Sequence, residues 1–243
     1  MLLVVSLHQP VSMCASTVSS KMLAEIALVE GFHFEDTLTG FKWIGSRSAE
    51  LSKSGYRHLF GYEEAIGFAC GDVIFDKDGI SAMAVFSEMA LAAYREGKSL
   101  KQHMQSLYDK YGEFVSYNGY FFMEDNTVVD KIMTRIRDSG NYGIDLNPYK
   151  VDYIRDLEGK GFDSSKPDKK PTLPPTPMIT LGFTNGCVVQ LRPSGTEPKF
   201  KFYIEMKGEP GVSRGEVSKK LEEMAPYVLG KLLEPEKNGL KQT

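Results

Sequence analysis

The eight residues Arg192-Pro193-Ser194-Gly195-Thr196-Glu197-Pro198-Lys199 constrain this chain more than any other stretch. An apolar alternating run over residues 187–191 precedes them, and a second over 200–205 follows. Period two on both sides predicts a loop between two strands. Pro193 and Pro198 stiffen that loop, and Gly195 lets its backbone approach a ligand closely. Ser194 and Thr196 add hydroxyl donors, while Arg192, Lys199 and Lys201 add positive charge. An oxyanion such as phosphate wants that combination of N–H groups, hydroxyls and a planar guanidinium that binds two oxygens at once. The plainer alternative is a polar hairpin loop with a few surface lysines. Three cations and two hydroxyls on one short loop favour phosphate.

With 243 residues the chain can hold one large domain or two ordinary ones. Its 42% hydrophobic and 25% charged residues are those of a soluble globular protein. A net charge of -3 gives no general attraction to nucleic acid or to anionic membrane, so an anion site must be local. Cys14, Cys70 and Cys187 are scattered and odd in number, against a disulfide framework or a zinc site and in keeping with a reducing cytosol. His8, His33, His58 and His103 are equally dispersed, and no metal site is expected among them. No apolar run approaches a membrane span. The apolar start, Met1-Leu2-Leu3-Val4-Val5, lacks a basic region before it and is soon broken by Pro10, so it does not read as a signal peptide.

Residues 1–15 show no clear period and stay unassigned. Beyond them, Ser19 or Ser20 as cap, a stripe of Met22, Leu23, Ile26, Ala27 and Val29, and Gly31 as stop predict a helix. Residues 33–37 read as a strand. In the loop 38–45, Thr39, Gly40, Lys42 and Trp43 offer a hydroxyl, a cation and a flat apolar face to a sugar. The bland alternative makes Trp43 a core anchor and Lys42 a solvated charge. Residues 46–53 read as helix and 56–61 as strand. That strand runs into Gly61-Tyr62-Glu63-Glu64-Ala65-Ile66-Gly67, whose carboxylates either lie in a solvated turn or accept from vicinal sugar hydroxyls. A general-acid pair is disfavoured, since neighbours in an extended segment point opposite ways.

Asp76-Lys77-Asp78-Gly79 fails as a calcium loop, because the positions needing ligands hold Ile74 and Val85. Instead Asp78 or Ser81 caps a helix over 80–94, with Met83, Phe86, Ala90 and Leu91 along its buried face. A helix over 99–111, a strand over 114–122 and a helix over 126–139 continue the α/β alternation. Turn-forming residues over 141–148 mark a boundary. Then come a strand over 149–157, a long exposed loop over 159–177, and strands over 178–183, 187–191 and 199–206. A closing helix spans 213–233, where Pro226 predicts a break or kink. The expected fold is an α/β domain followed by a smaller α+β domain, an antiparallel sheet covered by helix. The expected divisions are 1–15 unassigned, 16–145 α/β and 146–243 α+β.

The loop 192–199 resembles the phosphate-binding loop of the last domain in the α-D-phosphohexomutase family, which includes phosphoglucomutases and phosphomannomutases. The resemblance extends over nearly the whole chain. It implies that Arg192, Ser194, Gly195, Thr196 and Lys199, with Lys201 beside them, grip the non-reacting phosphate of a sugar phosphate. Thr39-Gly40-Phe41-Lys42 is similar to the family's Thr-Gly-Trp-Lys sugar loop, with Phe41 in place of the usual aromatic. Residues 61–67 resemble its Gly-Glu-Glu-Ser loop, which gives Glu63 a sugar contact, as it does Thr39, Gly40 and Lys42. Tyr62 and Ala65 depart from that loop, and Ala65 removes one hydroxyl contact. The variant is closer to the branch that handles phosphopentoses as well as phosphoglucose. Lys77 resembles a lysine pointing into the active cleft near the transferred phosphate; an exposed lysine is the equal alternative.

The family's phosphorylated serine sits in a Thr-Ala-Ser-His-Asn-Pro-type loop and its magnesium in an Asp-Gly-Asp-x-Asp loop. No serine here precedes a histidine, and the only Asp-x-Asp is Asp76-Lys77-Asp78. The resemblance assigns those parts to the first two of four domains. This chain is therefore expected to begin inside the third domain, without its first strand, with a first ten residues unlike the family. No cofactor is expected to bind this chain, while Mg2+ and a sugar bisphosphate activator are implied for the complete enzyme. Phosphoryl transfer rests on positioning and charge stabilisation, so the chain alone is expected to be inactive. Implied partners are glucose 1-phosphate, glucose 6-phosphate and ribose phosphates, in the cytoplasm, with neither nucleic acid nor membrane. A competing reading is a stand-alone sugar-phosphate binding or regulatory module. A third, an unrelated protein mimicking the loops, is disfavoured by several motifs in family order.

Overall fold

A computed structural model describes residues 9–125, 127–139 and 142–242 and divides the chain into two compact units, Met1–Gly112 and Glu113–Thr243. In the first unit, β1 (Val11–Ser16), α1 (Met22–Glu30), β2 (His33–Thr37), α2 (Phe41–Lys53), β3 (Arg57–Glu63) and β4 (Gly67–Cys70) precede two helices, α3 (Gly79–Arg95) and α4 (Leu100–Tyr111). The sheet order is β2-β1-β3-β4; β1 runs parallel to β2 and β3, and β4 returns antiparallel to β3.

Strand β1 occupies a stretch in which the sequence shows no period. Its position explains why: it lies inside the sheet, and neighbouring residues Cys14 and Ala15 are both buried, so no apolar-polar alternation arises. Helix α1 ends on Gly31 in the left-handed conformation, as expected. Its cap is weaker than expected: the capping position is Lys21, without a side-chain cap, and Ser20 Oγ accepts only from the Met22 amide. Helix α2 begins at Phe41 rather than Ser46, because Phe41, Ile44, Ser48 and Leu51 form one buried stripe. Gly45 lets this helix approach the backbone, since a Cβ there would stand 1.8 Å from the Phe75 carbonyl oxygen.

Asp78 caps α3 as expected, accepting from the amides of Ile80 and Ser81 at 2.9 and 3.3 Å. Its predicted buried face is a different matter. Met83, Phe86 and Leu91 are exposed, as are Ile80, Val85 and Tyr94, and of the helix's residues only Ala93 is buried. The helix has a helical apolar period without a covering layer among the described residues.

The second unit contains β5 (Phe114–Phe122), α5 (Thr127–Asp138), β6 (Val151–Asp156), β7 (Phe162–Asp163), β8 (Ile179–Phe183), β9 (Cys187–Pro193), β10 (Lys199–Lys207) and α6 (Arg214–Leu233). These strands make one antiparallel sheet in the order β5-β10-β9-β8-β6-β7. Strand β5 pairs along its whole length with β10. The division therefore falls between Gly112 and Glu113, not near residue 145, and β5 and α5 belong with the second unit. The second unit thus runs longer than the sequence reading allowed. The expected helix start at Asn126 lies outside the described residues.

One face of this sheet carries the core: Ile179, Leu181, Val189, Leu191, Phe200, Phe202 and Ile204 pack with Ile132, Met133 and Ile136 of α5 and with Leu221, Met224 and Val228 of α6. Helix α6 opens on a capping box between Ser213 and Glu216. It continues through Pro226, where the sequence predicted a break or kink. Leu221, Met224, Ala225, Val228 and Leu229, buried on both sides of the proline, outweigh the hydrogen bond that proline deletes.

Candidate functional site

Parallel pairing of β1, β2 and β3 puts their carboxyl ends at one edge of the first sheet, where open α/β sheets present ligand-binding loops. Strand β2 ends at Thr37 and leads into Leu38-Thr39-Gly40; β3 ends at Glu63. The structure joins the two ends. The Gly40 amide donates to Glu63 Oε2 at 3.2 Å. Gly40, at φ 105° and ψ 133°, has a backbone conformation that only glycine adopts without strain. Next to it, Phe41 is buried with its ring against Gly67, where an added Cβ would meet ring carbon at 2.8 Å and Glu63 Cγ at 3.3 Å. Lys77 Nζ lies over the same ring, 5.4 Å from its centroid, and 3.6 Å from Asp76 Oδ1.

Gly40, Glu63 and Lys77, singled out in the sequence, thus gather around Phe41, with Thr39 next to Gly40 in the chain. Lys42 is placed differently: it is exposed on the first turn of α2, with its ammonium 5.7 Å from the ring of its neighbour Trp43. Glu63 is half-buried and Glu64 exposed.

Sequence reasoning assigned no role here to the β1–α1 loop, which stands at the same edge. Tyr62 Oη donates to the Ser20 carbonyl at 2.8 Å, and the Thr17 amide to the Thr37 carbonyl at 2.7 Å. Lys21 Nζ donates to the carbonyls of Thr17 and Ser19 at 2.6 and 2.7 Å. The Ser/Thr-rich run before a helix was a signal, but capping absorbed it.

In the second unit the loop 194–198 joins β9 and β10, as the flanking alternation predicts. Its base is closed by the Ser194 amide donating to the Lys199 carbonyl at 2.8 Å. Gly195, Thr196 and Glu197 are exposed, and the amides of Gly195 and Thr196 make no hydrogen bond to the described residues. Arg192 and Lys201 are direct cross-strand partners, so their side chains share one face of the sheet. Arg192 Nε donates to the Pro193 carbonyl at 3.3 Å. Lys199 Nζ pairs with Glu197 Oε1 at 2.7 Å, and that carboxylate holds the lysine pKa above its ordinary value. Positive charge, hydroxyls and open amides therefore converge on one short loop.

Among the described residues, no group of three or more His, Cys, Asp and Glu side chains could hold a metal ion. No helix among the described residues is long and apolar enough to cross a membrane.

Residues 4–111 match the family model described as phosphoglucomutase/phosphomannomutase, alpha/beta/alpha domain III. The matched segment coincides with the first unit and begins within the ten residues expected to be unlike the family. The first unit is thus similar to domain III of that family. The whole chain is 44% identical over 95% of its length to human glucose 1,6-bisphosphate synthase, and 41% identical over 94% to human phosphopentomutase. It spans 38% of the length of each of these relatives. A solved phosphoglucomutase/phosphomannomutase family protein from Burkholderia thailandensis shares the fold, at a TM-score of 0.54 and 13% identity, over 91% of this chain and 38% of that one.

Proposed function

We propose that this chain supplies the sugar-holding and phosphate-holding residues of a phosphoglucomutase/phosphopentomutase-type intramolecular phosphotransferase acting in the cytoplasm. The observation that carries the reading is the loop 194–198, where the open amides of Gly195 and Thr196 lie beside Arg192, Lys199 and Lys201. A guanidinium and ammonium groups neutralise a phosphate dianion, while amides and hydroxyls fix its oxygens. In the first unit, Glu63 accepts from sugar hydroxyls, with Thr39 and Gly40 beside it, and Lys77 offers a positive charge to a second phosphate. The substrates are sugar 1-phosphates and the corresponding 6- or 5-phosphates, interconverted through a bisphosphate. Ala65, which lacks a hydroxyl, suits a site tolerant of pentose as well as hexose.

In this reaction the chain binds and orients. A phosphorylated serine and a magnesium ion supply the transfer chemistry in a complete enzyme, and neither has its sequence loop here. The chain alone is therefore proposed to be inactive, since positioning without a nucleophile leaves most of the barrier in place. Calorimetric titration with glucose 1-phosphate, ribose 1-phosphate and glucose 1,6-bisphosphate tests the reading. Binding by the wild-type chain that is lost in Arg192→Ala supports it. A folded chain that binds none of the three contradicts it.

A further inference from the structure

Strand β10 alternates between two duties. Phe200, Phe202 and Ile204 enter the core, so Lys199 and Lys201 occupy the opposite face. There they meet β5, with Lys199 opposite Phe122 and Lys201 opposite Tyr120. Between these two aromatics, Phe121 turns into the core with Phe200. Tyr120 and Phe122 therefore place two rings on the face away from the core, which core packing does not require.

Their arrangement gives a reason. The rings meet edge to face, with centroids 5.3 Å apart and planes at 84°. Lys199 Nζ lies 4.4 Å from the Tyr120 centroid and 5.3 Å from that of Phe122. Its ion-pair partner is Glu197, whose Oε1 is 2.7 Å away. The lysine side chain is 17% exposed and the glutamate 47%, so the cation is held and the anion is peripheral. A surface lysine ordinarily samples many rotamers; two ring faces that attract its ammonium remove that freedom.

We infer that Tyr120 and Phe122 are positioning residues that hold the Lys199 ammonium at the phosphate loop, and that Glu197 is its displaceable counter-ion. The inference rests on the phosphate reading of the loop and adds to it a device that sets affinity. An incoming phosphate oxygen replaces the Glu197 carboxylate as acceptor. The rings attract the cation equally before and after the exchange, so the charge stays in place while its anion changes. Glu197 weakens phosphate binding by competing for the same ammonium, and an exposed carboxylate is cheap to displace because solvent already screens it.

The test is lysine side-chain NMR of the full chain together with titration by inorganic phosphate. Ring currents should move the Lys199 CεH2 resonances, assigned with Lys199→Arg, upfield in the wild type and in Tyr120→Phe. Tyr120→Leu should return them toward exposed-lysine values. Phosphate affinity should be unchanged in Tyr120→Phe, several-fold weaker in Tyr120→Leu and several-fold tighter in Glu197→Gln. The Tyr120→Phe rescue separates positioning from a folding defect. An unshifted Lys199 in a wild-type chain that binds phosphate overturns the inference alone, as does a Glu197→Gln chain that binds no tighter. Phosphate binding that survives Arg192→Ala, or is missing from the wild type, defeats the phosphate reading itself.

Discussion

The Gly40 amide donates to Glu63 Oε2 at 3.2 Å, joining the loop that follows β2 to the last residue of β3. One carboxylate oxygen is thereby fixed by backbone, and the half-buried side chain is aimed rather than solvated. Replacing it by Glu63→Gln keeps the shape and removes the charge. A hydrogen bond to a charged group contributes about 1.5–3 kcal/mol, so affinity for glucose 1-phosphate should fall about tenfold or more. Inorganic phosphate, which has no sugar hydroxyls, should bind as before. Parallel calorimetric titrations of the two ligands check this, and equal losses for both would contradict a sugar-specific role.

Gly67→Ala tests the packing behind the same site. The added Cβ would stand 2.8 Å from the Phe41 ring, so the ring or β4 must move. Overpacking of this kind costs about 1–3 kcal/mol. Thermal denaturation should show a lowered midpoint for the first unit, and binding of sugar phosphate should weaken through displacement of Phe41.

Much of the candidate site could be proposed from the sequence because its chemistry is local. Arg192, Ser194, Gly195, Thr196 and Lys199 fall within eight consecutive residues, and the alternating strands on either side suggested their place. The Gly40–Glu63 contact spans 23 residues, and only the parallel order of β2, β1 and β3 brings its ends to one edge. That order depends on β1, whose double-sided burial erased its period. The clamp of Tyr120 and Phe122 on Lys199 was illegible for the same reason. A strand's partner is set by long-range pairing, and the alternation of β5 does not say that it joins β10. The face of α3 was misread in the opposite sense: its apolar period is real, but period alone does not supply a covering layer.

His58 predicts a pH dependence for the first unit. The ring is buried, Nδ1 lies 3.2 Å from Ser12 Oγ, and Nε2 is buried with no hydrogen-bond partner among the described residues. Burial pushes its pKa down to about 4, against a smaller opposing pull from Asp72. The folded state therefore resists a proton that the unfolded chain accepts near its ordinary pKa of about 6.5. Stability from this group is complete above that value and is lost as pH falls toward 4. Between pH 7 and 5 the loss is about 2 kcal/mol. Urea denaturation at the two pH values should show a smaller drop for His58→Leu than for wild type by about that amount; identical drops would remove His58 from the account.

Helix α3 presents Ile80, Met83, Val85, Phe86, Leu91 and Tyr94 to solvent. Exposed apolar surface of this kind promotes association. The double substitution Met83→Glu and Phe86→Glu should reduce concentration-dependent light scattering while leaving the unfolding midpoint nearly unchanged. A large fall in the midpoint would show that these side chains are covered in solution.

The most direct measurement is phosphorus NMR of glucose 1-phosphate mixed with the wild-type chain, Arg192→Ala and Arg192→Lys. A guanidinium binds two phosphate oxygens in one plane, whereas an ammonium acts as a point charge. The account predicts a broadened and shifted phosphate resonance with wild type, none with Arg192→Ala and a weaker effect with Arg192→Lys. The same broadening in all three chains would show that phosphate is held elsewhere, and the loop 194–198 would lose its assignment.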